Sequence, residues 1–551
     1  MELEDIKKNW DLIIIGGGIA GAGIFREAVK MGLDVLLLER KDFAWGTSSR
    51  SSKLIHGGLR YLKEKRFLLT RASVNEREYL LNSATGLVES LGFLMPVYQN
   101  QKPGKKMLSV GLSVYDMIAG EKRHQYYESK KFSSLIPQIK QEALLGGFLF
   151  YDAQVDDARL VLRLINEAVE SGGSALNYTS AIKINRNAKR KVVGITAKNT
   201  ESLYEKNLST PAVINATGSW AEELHPSPKS KFHLRPLRGS HLLFPGSLLH
   251  LTHAVSFIHP ADHRPVFVVP WEGAILLGTT DVDHYKALSK EPNISKEEID
   301  YLMDAFTTMF PTADISLKDC ISTFAGIRPI LSKGNLSPSE ESREHIVWKD
   351  KGLVTITGGK LTTFRRSALD ALKAVKPFLD SDKINGPNAP EFSEVPNQPE
   401  MDYGLSLHNW RRLYGRYGKN ADKLVRGAAA KDLSYIPGTH TLWAELPFSA
   451  KHEQVKHLND LLLRRLRIGL LTPQGGKAYL KRIRKLCKKS LPWNNRRWKK
   501  EIKMYIEKWE RCYAPAVKYA ARPDEPRLFS VNKLKTFLKK ILQLLGLKTE
   551  G

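Results

Sequence analysis

Apolar positions first gather near the start of the chain, where Asp11 to Ile15 is a short β-branched run that meets a glycine cluster. Ala22 to Met31 continues at helical spacing until Gly32, and Val35 to Leu38 is a second buried run ending at Glu39. Strand, glycine turn, helix and strand in this order predict a βαβ unit. Strand-like and helix-like stretches then alternate to about residue 375. Within them Ala158 to Glu170 reads as a helix, with Asp156 and Asp157 at its start and Gly172 and Gly173 past its end. Pro387, Pro390, Pro396 and Pro399, together with Gly386, Asn388 and Asn397, mark residues 386–400 as a linker. Beyond it Val455, Leu458, Leu462 and Leu466 recur at three and four, so residues 401–551 are expected to be mainly helical. Leu534, Phe537, Leu538, Ile541, Leu544 and Leu545 repeat that spacing in a last amphipathic helix, with Lys533, Lys535, Lys539 and Lys540 along its margins and opposite side.

Composition narrows the class. At 551 residues, 42% hydrophobic and 26% charged, the chain has material for two or three cores and is neither disordered nor fibrous. Met1 to Trp10 is polar and mixed in charge, so no secretory signal is read there and secretion is not expected. No stretch approaches the roughly 20 apolar residues of a membrane span, so lipid contact is expected to be peripheral. Cys320, Cys487 and Cys512 lack CxxC or Cys/His spacing, which argues against a disulfide framework or a zinc site and suits a reducing cytosol. Of the net charge of +27, residues 451–551 hold +19, from 27 basic and 8 acidic side chains. Such a concentration attracts anionic polymers or anionic lipid, and charge alone does not choose; with the amphipathic helix of residues 534–545 beside it, the basic C-terminal region is expected to meet an anionic membrane surface. No nucleic-acid module accompanies it, so nucleic acid is not expected as the primary partner.

Gly16, Gly18 and Gly21 form GxGxxG directly between strand and helix, and Glu39 ends the next strand. The glycines permit a tight turn against a pyrophosphate, the helix N-terminus offers unpaired N–H donors, and the acid accepts from an unphosphorylated ribose, hence NAD or FAD over NADP. Val213 to Gly218 (VINATG) resembles the second flavin contact of large FAD oxidoreductases. Gly46 to Leu62, GTSSRSSKLIHGGLRYL, lets the backbone pass close to a planar ring and offers Lys53, His56, Arg60 and Tyr61 beside it. His259 and His263 stand four apart, but Pro260 and Pro265 preclude a helix between them, so no metal pair is expected. Asp152, Asp156 and Asp157 are assigned to turns and helix capping.

The segment from Gly46 to Leu62 resembles, nearly residue for residue, the aerobic, respiratory FAD-dependent glycerol-3-phosphate dehydrogenase family. YDAQVDDARL from Tyr151, RGSH from Arg238, PWEG from Pro270, GTTD from Gly278, AGIRP from Ala325, SREH from Ser342 and GGKLTTFRR from Gly358 follow in the family's order. The match is dense over residues 10–375 and thinner through LLLRRLRIGL near residue 465. Ala20 stands where an Asn is expected and Met31 where a basic residue is common; neither removes a phosphate-cradling glycine.

The resemblance implies an α/β fold: a Rossmann-like FAD-binding domain of the glutathione-reductase/D-amino-acid-oxidase type with an inserted antiparallel-sheet substrate cap and a helical C-terminal domain. The FAD domain would use approximately residues 8–75, 150–235 and 320–385, and the cap 76–149 and 236–319. FAD contacts would come from Gly16, Gly18, Gly21, Glu39, Thr47, Ser48, Ser52, Leu54, Ile55, His56, Gly57 and Gly218. A third glycine turn, Gly359, Lys360, Leu361 and Thr362, would approach the pyrimidine end of the flavin and stabilise its anionic reduced form. Arg60, Tyr61, Arg328, Arg343 and Lys360 would surround the substrate, because guanidiniums suit a phosphate dianion. His241 would take the C2 hydroxyl proton and Arg328 would stabilise the developing alkoxide; His56 would neighbour the flavin. The implied reaction oxidises sn-glycerol 3-phosphate to dihydroxyacetone phosphate by hydride transfer from C2 to flavin N5. Electrons would pass to a membrane quinone from the cytoplasmic face, although a dioxygen-using oxidase carries the same motifs. An amine or amino-acid oxidase would instead pair a substrate carboxylate with one arginine. Homodimerisation stays open.

Overall fold

The βαβ unit forms as its pattern predicts: β1 (Leu12–Ile15), α1 (Ile19–Lys30) and β2 (Val35–Leu38), both strands buried along their whole length. Runs apolar on both faces fit parallel strands covered by helices. The computed structural model describes residues 2–63, 66–120, 122–224, 233–332, 344–380 and 404–515, with 382, 392 and 396; the side chains of Arg60 and Lys63 are not among those described. The linker expected at 386–400 falls outside the described residues apart from Phe392 and Pro396, and the amphipathic helix expected over 534–545 falls outside them entirely.

A six-stranded sheet carries β1 and β2. Val213–Asn215 pairs in parallel with β1, Ile15 opposite Asn215, and Leu353–Gly358 pairs in parallel on its other side, Asn215 opposite Thr355. Three adjacent strands therefore deliver Gly16, Ala216 to Gly218, and Gly358 with Gly359 to the same edge, where open α/β sheets bind ligands. Helices Asp157–Glu170 and Phe364–Val375 pack beside α1 over a core that includes Phe25, Leu37, Leu164 and Phe364. The first of these starts as predicted, the Asp156 side chain accepting from the Arg159 N–H. A three-stranded antiparallel sheet covers the other face, burying Ile13, Leu36 and Ile195.

A second, ten-stranded sheet forms the cap. Its strands pair antiparallel except where Ala254–Ile258 runs parallel to Val88–Tyr98. Leu54–Ile55 and Ser322–Ser332 also pair into it, so the cofactor segments and the cap share strands. Beside this sheet lie α2 (Leu59–Lys63), α3 (Phe67–Ser83) and α4 (Lys105–Ala119), packed against one another.

Residues 404–514 are mainly helical and belong to the same compact unit as the N-terminal part. The three-four pattern from Val455 to Leu466 does not form one helix. Leu458–Asp460 is helical, Leu461–Arg465 is a π turn in which the Leu466 N–H bonds the Leu461 carbonyl at 3.0 Å, and Arg467 is left-handed with φ 58°. The wider turn brings Arg464, Arg465 and Arg467 all inward, where they pair with Asp42, Asp460, Asp156 and Asp157. These three cations of the basic segment are buried and neutralised rather than displayed to an anionic surface. Among the described residues no helix is long and apolar enough to cross a membrane.

Candidate active site

A cavity of about 690 Å³ opens where the glycine segments meet. That size suits a cofactor with a small substrate. Gly16, at φ 114°, turns so tightly that a Cβ there would stand 2.5 Å from the Ala216 carbonyl oxygen. Glu39 reaches the turn from the end of β2: its carboxylate accepts from the Gly17 N–H and the Lys41 N–H, each at 2.8 Å. Burial raises its pKa, and the two backbone donors oppose that shift. Ser48 Oγ accepts from the Ile19 N–H at 2.9 Å, fixing the loop of residues 46–53 over the start of α1. Thr47 Oγ1 donates to the Ile327 carbonyl. Thr362 Oγ1 donates to the His56 carbonyl at 3.2 Å, tying the third glycine turn to the loop.

Gly16, Gly18, Glu39, Thr47, Ser48, Ser52, Leu54, His56, Gly218, Gly359, Lys360, Leu361 and Thr362 all line this cavity. Gly21, Ile55 and Gly57 do not. A Cβ on Gly21 would sit 1.8 Å from the Gly16 carbonyl oxygen, and one on Gly57 would sit 2.2 Å from the Tyr115 hydroxyl, so both glycines serve close packing behind the wall. Ile55 is buried in the cap sheet opposite Ala153.

Of the expected substrate residues, Tyr61, Arg328 and Lys360 reach the same cavity. The Lys360 ammonium lies 3.5 Å above the Tyr61 ring. Arg328 donates from Nη1 to Asp281 Oδ1 at 2.9 Å and from Nη2 to Thr279 Oγ1 at 3.1 Å. Gly239 clears its space, since a Cβ there would meet Nη2 at 2.5 Å. Arg343 and the side chain of Arg60 lie outside the described residues. Arg264 and Asp281 are among the lining residues that the sequence did not single out. Arg264 donates to Asp262 at 2.7 Å and to the Asp281 carbonyl at 3.0 Å, and Asp281 orients Arg328. Asp281 closes the GTTD segment, which was its visible signal; Arg264 had none.

His241, the expected base, stands back from the cavity wall. It does not line the cavity and is 1% exposed, its ring stacked on Phe324 with centroids 4.6 Å apart. Gly278, directly opposite in the neighbouring strand, makes room for the ring, which a Cβ there would meet at 2.2 Å. Burial holds the His241 pKa well below the ordinary histidine value, and the charges of Arg328 and Lys53 push it the same way. Among the described residues, His241 reaches the cavity through Ser52, whose Oγ lies 2.9 Å from Nε2. Two imidazoles stand on the cavity wall, His56 and His263; His56 belongs to the loop that carries Ser52 and is tied through its carbonyl to Thr362 of the third glycine turn.

The acids assigned to turns and caps do more than that. Asp157 joins Lys53, at 2.8 Å, to Arg467 and accepts from Ser51 N–H and Oγ, so it anchors the loop of residues 46–53 from below. Asp152 accepts from Arg77 and the Tyr115 hydroxyl, each at 2.6 Å. Among the described residues no group of three or more His, Cys, Asp or Glu could hold a metal ion.

A family model described as FAD dependent oxidoreductase matches residues 11–365, and one described as the C-terminal domain of alpha-glycerophosphate oxidase matches 388–498. The chain is 34% identical over 494 residues to the aerobic glycerol-3-phosphate dehydrogenase of Staphylococcus aureus, covering 84% of this chain and 88% of that one. Its structure is similar to that of the glycerol-3-phosphate dehydrogenase from Bacillus halodurans complexed with FAD, with a TM-score of 0.70 and 26% identity over 92% of this chain and 96% of that one. The FAD-bound L-alpha-glycerophosphate oxidase of Mycoplasma pneumoniae shares the fold at a TM-score of 0.56 and 19% identity, covering 67% of this chain and 95% of that one. With its glycine segments converging on a cavity of cofactor size and its sequence matched along most of its length, the chain belongs to the FAD-dependent glycerol-3-phosphate dehydrogenase and oxidase family.

Proposed function

We propose that this enzyme oxidises sn-glycerol 3-phosphate to dihydroxyacetone phosphate and hands the electrons to a membrane quinone. The observation that carries the substrate is the joint exposure of Arg328, Lys360, Arg264 and His56 in the cavity that holds the glycine turns. Cations from three separate segments suit a phosphate dianion better than the single carboxylate of an amino acid. The names of the relatives, glycerol-3-phosphate dehydrogenases, support the same substrate.

Bound FAD supplies the hydride acceptor and the electron sink. The chain's own residues do the rest. Lys360 and the arginines bind and orient the phosphate, so that C2 is fixed before reaction. His56, a wall imidazole held beside the third glycine turn, accepts the C2 hydroxyl proton, and Arg328 stabilises the charge developing on that oxygen. His241 orients Ser52 beside them.

The acceptor has two readings. The relatives' name, dehydrogenase rather than oxidase, is consistent with an acceptor other than dioxygen, such as a quinone, whereas the match of residues 388–498 to a glycerophosphate oxidase domain is consistent with dioxygen. With a quinone acceptor the enzyme must reach the bilayer, and a peripheral position on its cytoplasmic face is part of the proposal. Stopped-flow reoxidation of the reduced enzyme tests this: a ubiquinone analogue should outpace air, and faster reoxidation by air would establish the oxidase instead.

A further inference from the structure

Helix α4 is apolar but little of it is covered: only Leu112, Tyr115 and Asp116 are buried. Met107, Val110 and Met117 are exposed, Met117 by 73%, and with half-buried Val114 their spacing of three and four places them on one outward stripe. Alongside, α3 begins with exposed Phe67 and with Leu68, which is 83% exposed. Large apolar side chains gathered on two packed helices mark a surface that meets something else.

The charge around them is mainly positive, although Lys105 pairs with exposed Glu128 at 3.1 Å. Lys102, Lys105 and Lys106 stand exposed at the start of α4, Lys122 just past its end, and Arg71 on α3. The one acid of α4, Asp116, is buried, its carboxylate taken by the N–H groups of Arg123 and His124. An apolar stripe with a cationic margin complements an anionic lipid bilayer, which offers hydrocarbon below a layer of negative headgroups. The same helix also reaches the active site. Leu108 of α4 and Pro103 just before it line the cavity, as do Leu59 and Tyr61 of α2.

We infer that the exposed face of α3 and α4 seats the enzyme on an anionic bilayer, with the cavity wall adjoining the lipid. The inference rests on the membrane-acceptor reading and adds to it the surface through which an acceptor dissolved in lipid meets the enzyme.

The test uses full-length, FAD-loaded protein and vesicles of phosphatidylcholine, with or without phosphatidylglycerol. The parent should co-sediment with the anionic vesicles and at least tenfold less with neutral ones. The variant Leu68→Gln/Met107→Gln/Val110→Gln/Met117→Gln, altered only at exposed positions, should lose tenfold or more of its vesicle partition. Its dye-linked oxidation of glycerol 3-phosphate should stay at the parental rate while reduction of vesicle-dissolved quinone falls. Lys102→Ser/Lys106→Ser should weaken binding to anionic vesicles alone. If parent and apolar variant sediment equally, the face is wrong while the membrane reading stands. If the parent sediments with no vesicle, both fail. If the parent ignores vesicles but forms a dimer that the apolar variant dissolves, the face belongs to a second copy and the inference is overturned.

Discussion

Replacing Arg328 with Met removes a guanidinium and keeps its stem, and the structure separates two consequences. The first is stability. Asp281, whose side chain is 9% exposed, loses the Arg328 guanidinium at 2.9 Å. Loss of one hydrogen bond to a charged, nearly buried acceptor costs about 1.5–3 kcal/mol, and since Arg328 itself is 22% exposed, solvent can relieve part of that loss. The second is catalysis. Loss of one preorganised donor aimed at developing charge costs about 10²–10³ in rate, or about 3–4 kcal/mol. The double variant Arg328→Met/Asp281→Asn also removes the Asp281 charge, so stability should return to within about 1 kcal/mol of the parent, while activity should not recover. The assay is anaerobic flavin reduction by glycerol 3-phosphate, with FAD-to-protein ratio and thermal midpoint measured on the same samples. A flavin-loaded single variant with kcat/KM near the parental value would refute the assignment of Arg328. A double variant that regains activity would show that the remaining Asp281 carboxylate caused the defect.

His56→Asn should slow anaerobic flavin reduction by about 10²–10⁴ and flatten its pH dependence, whereas His241→Asn should keep the parental pH profile; the reverse ordering in stopped-flow traces would return the base to His241. Gly16→Ala places a Cβ 2.5 Å from the Ala216 carbonyl oxygen, so the purified protein should be folded by circular dichroism but colourless, and full flavin content would remove Gly16 from the cradle. His457 is held by Glu201 at 2.8 Å and Glu501 at 3.0 Å, which outweigh burial and raise its pKa from 6.5 to about 10. Because the folded value is the higher one, its stabilisation is fully present below pH 6.5 and is lost as pH rises through about 10. His457→Gln should therefore be less stable than the parent by about 1–2 kcal/mol near neutrality, with the gap closing in alkaline melts; a gap independent of pH would contradict the ion pairs.

The parts of this site that follow from local chemistry were legible in the sequence. The turn at Gly16, the acid at Glu39 and the capped helix of Asp157–Glu170 each depend on residues a few positions apart. So did the three glycine segments, although their meeting depends on the parallel register of β1, Val213–Asn215 and Leu353–Gly358, which no single segment encodes. What was hidden depends on neighbours distant in the chain. The orientation of His241 is set by a glycine across the sheet and by Phe324. Arg464, Arg465 and Arg467 looked like part of a solvated basic tail, because the acids that bury them lie in remote segments, Asp42 and Asp156 among them. Their interruption of the apolar period appears only once those pairs are known. Arg264 carries no motif and enters the cavity by way of a turn between two cap strands.

The central claim is that one cavity holds FAD beside a site built for glycerol 3-phosphate. Anaerobic titration of the purified protein measures this directly. The account predicts a yellow protein whose flavin absorbance is bleached by sn-glycerol 3-phosphate, with one dihydroxyacetone phosphate formed per flavin, and is left unchanged by glycerol or by an amino acid. Bleaching by an amino acid, or by glycerol as readily as by its phosphate, would contradict it.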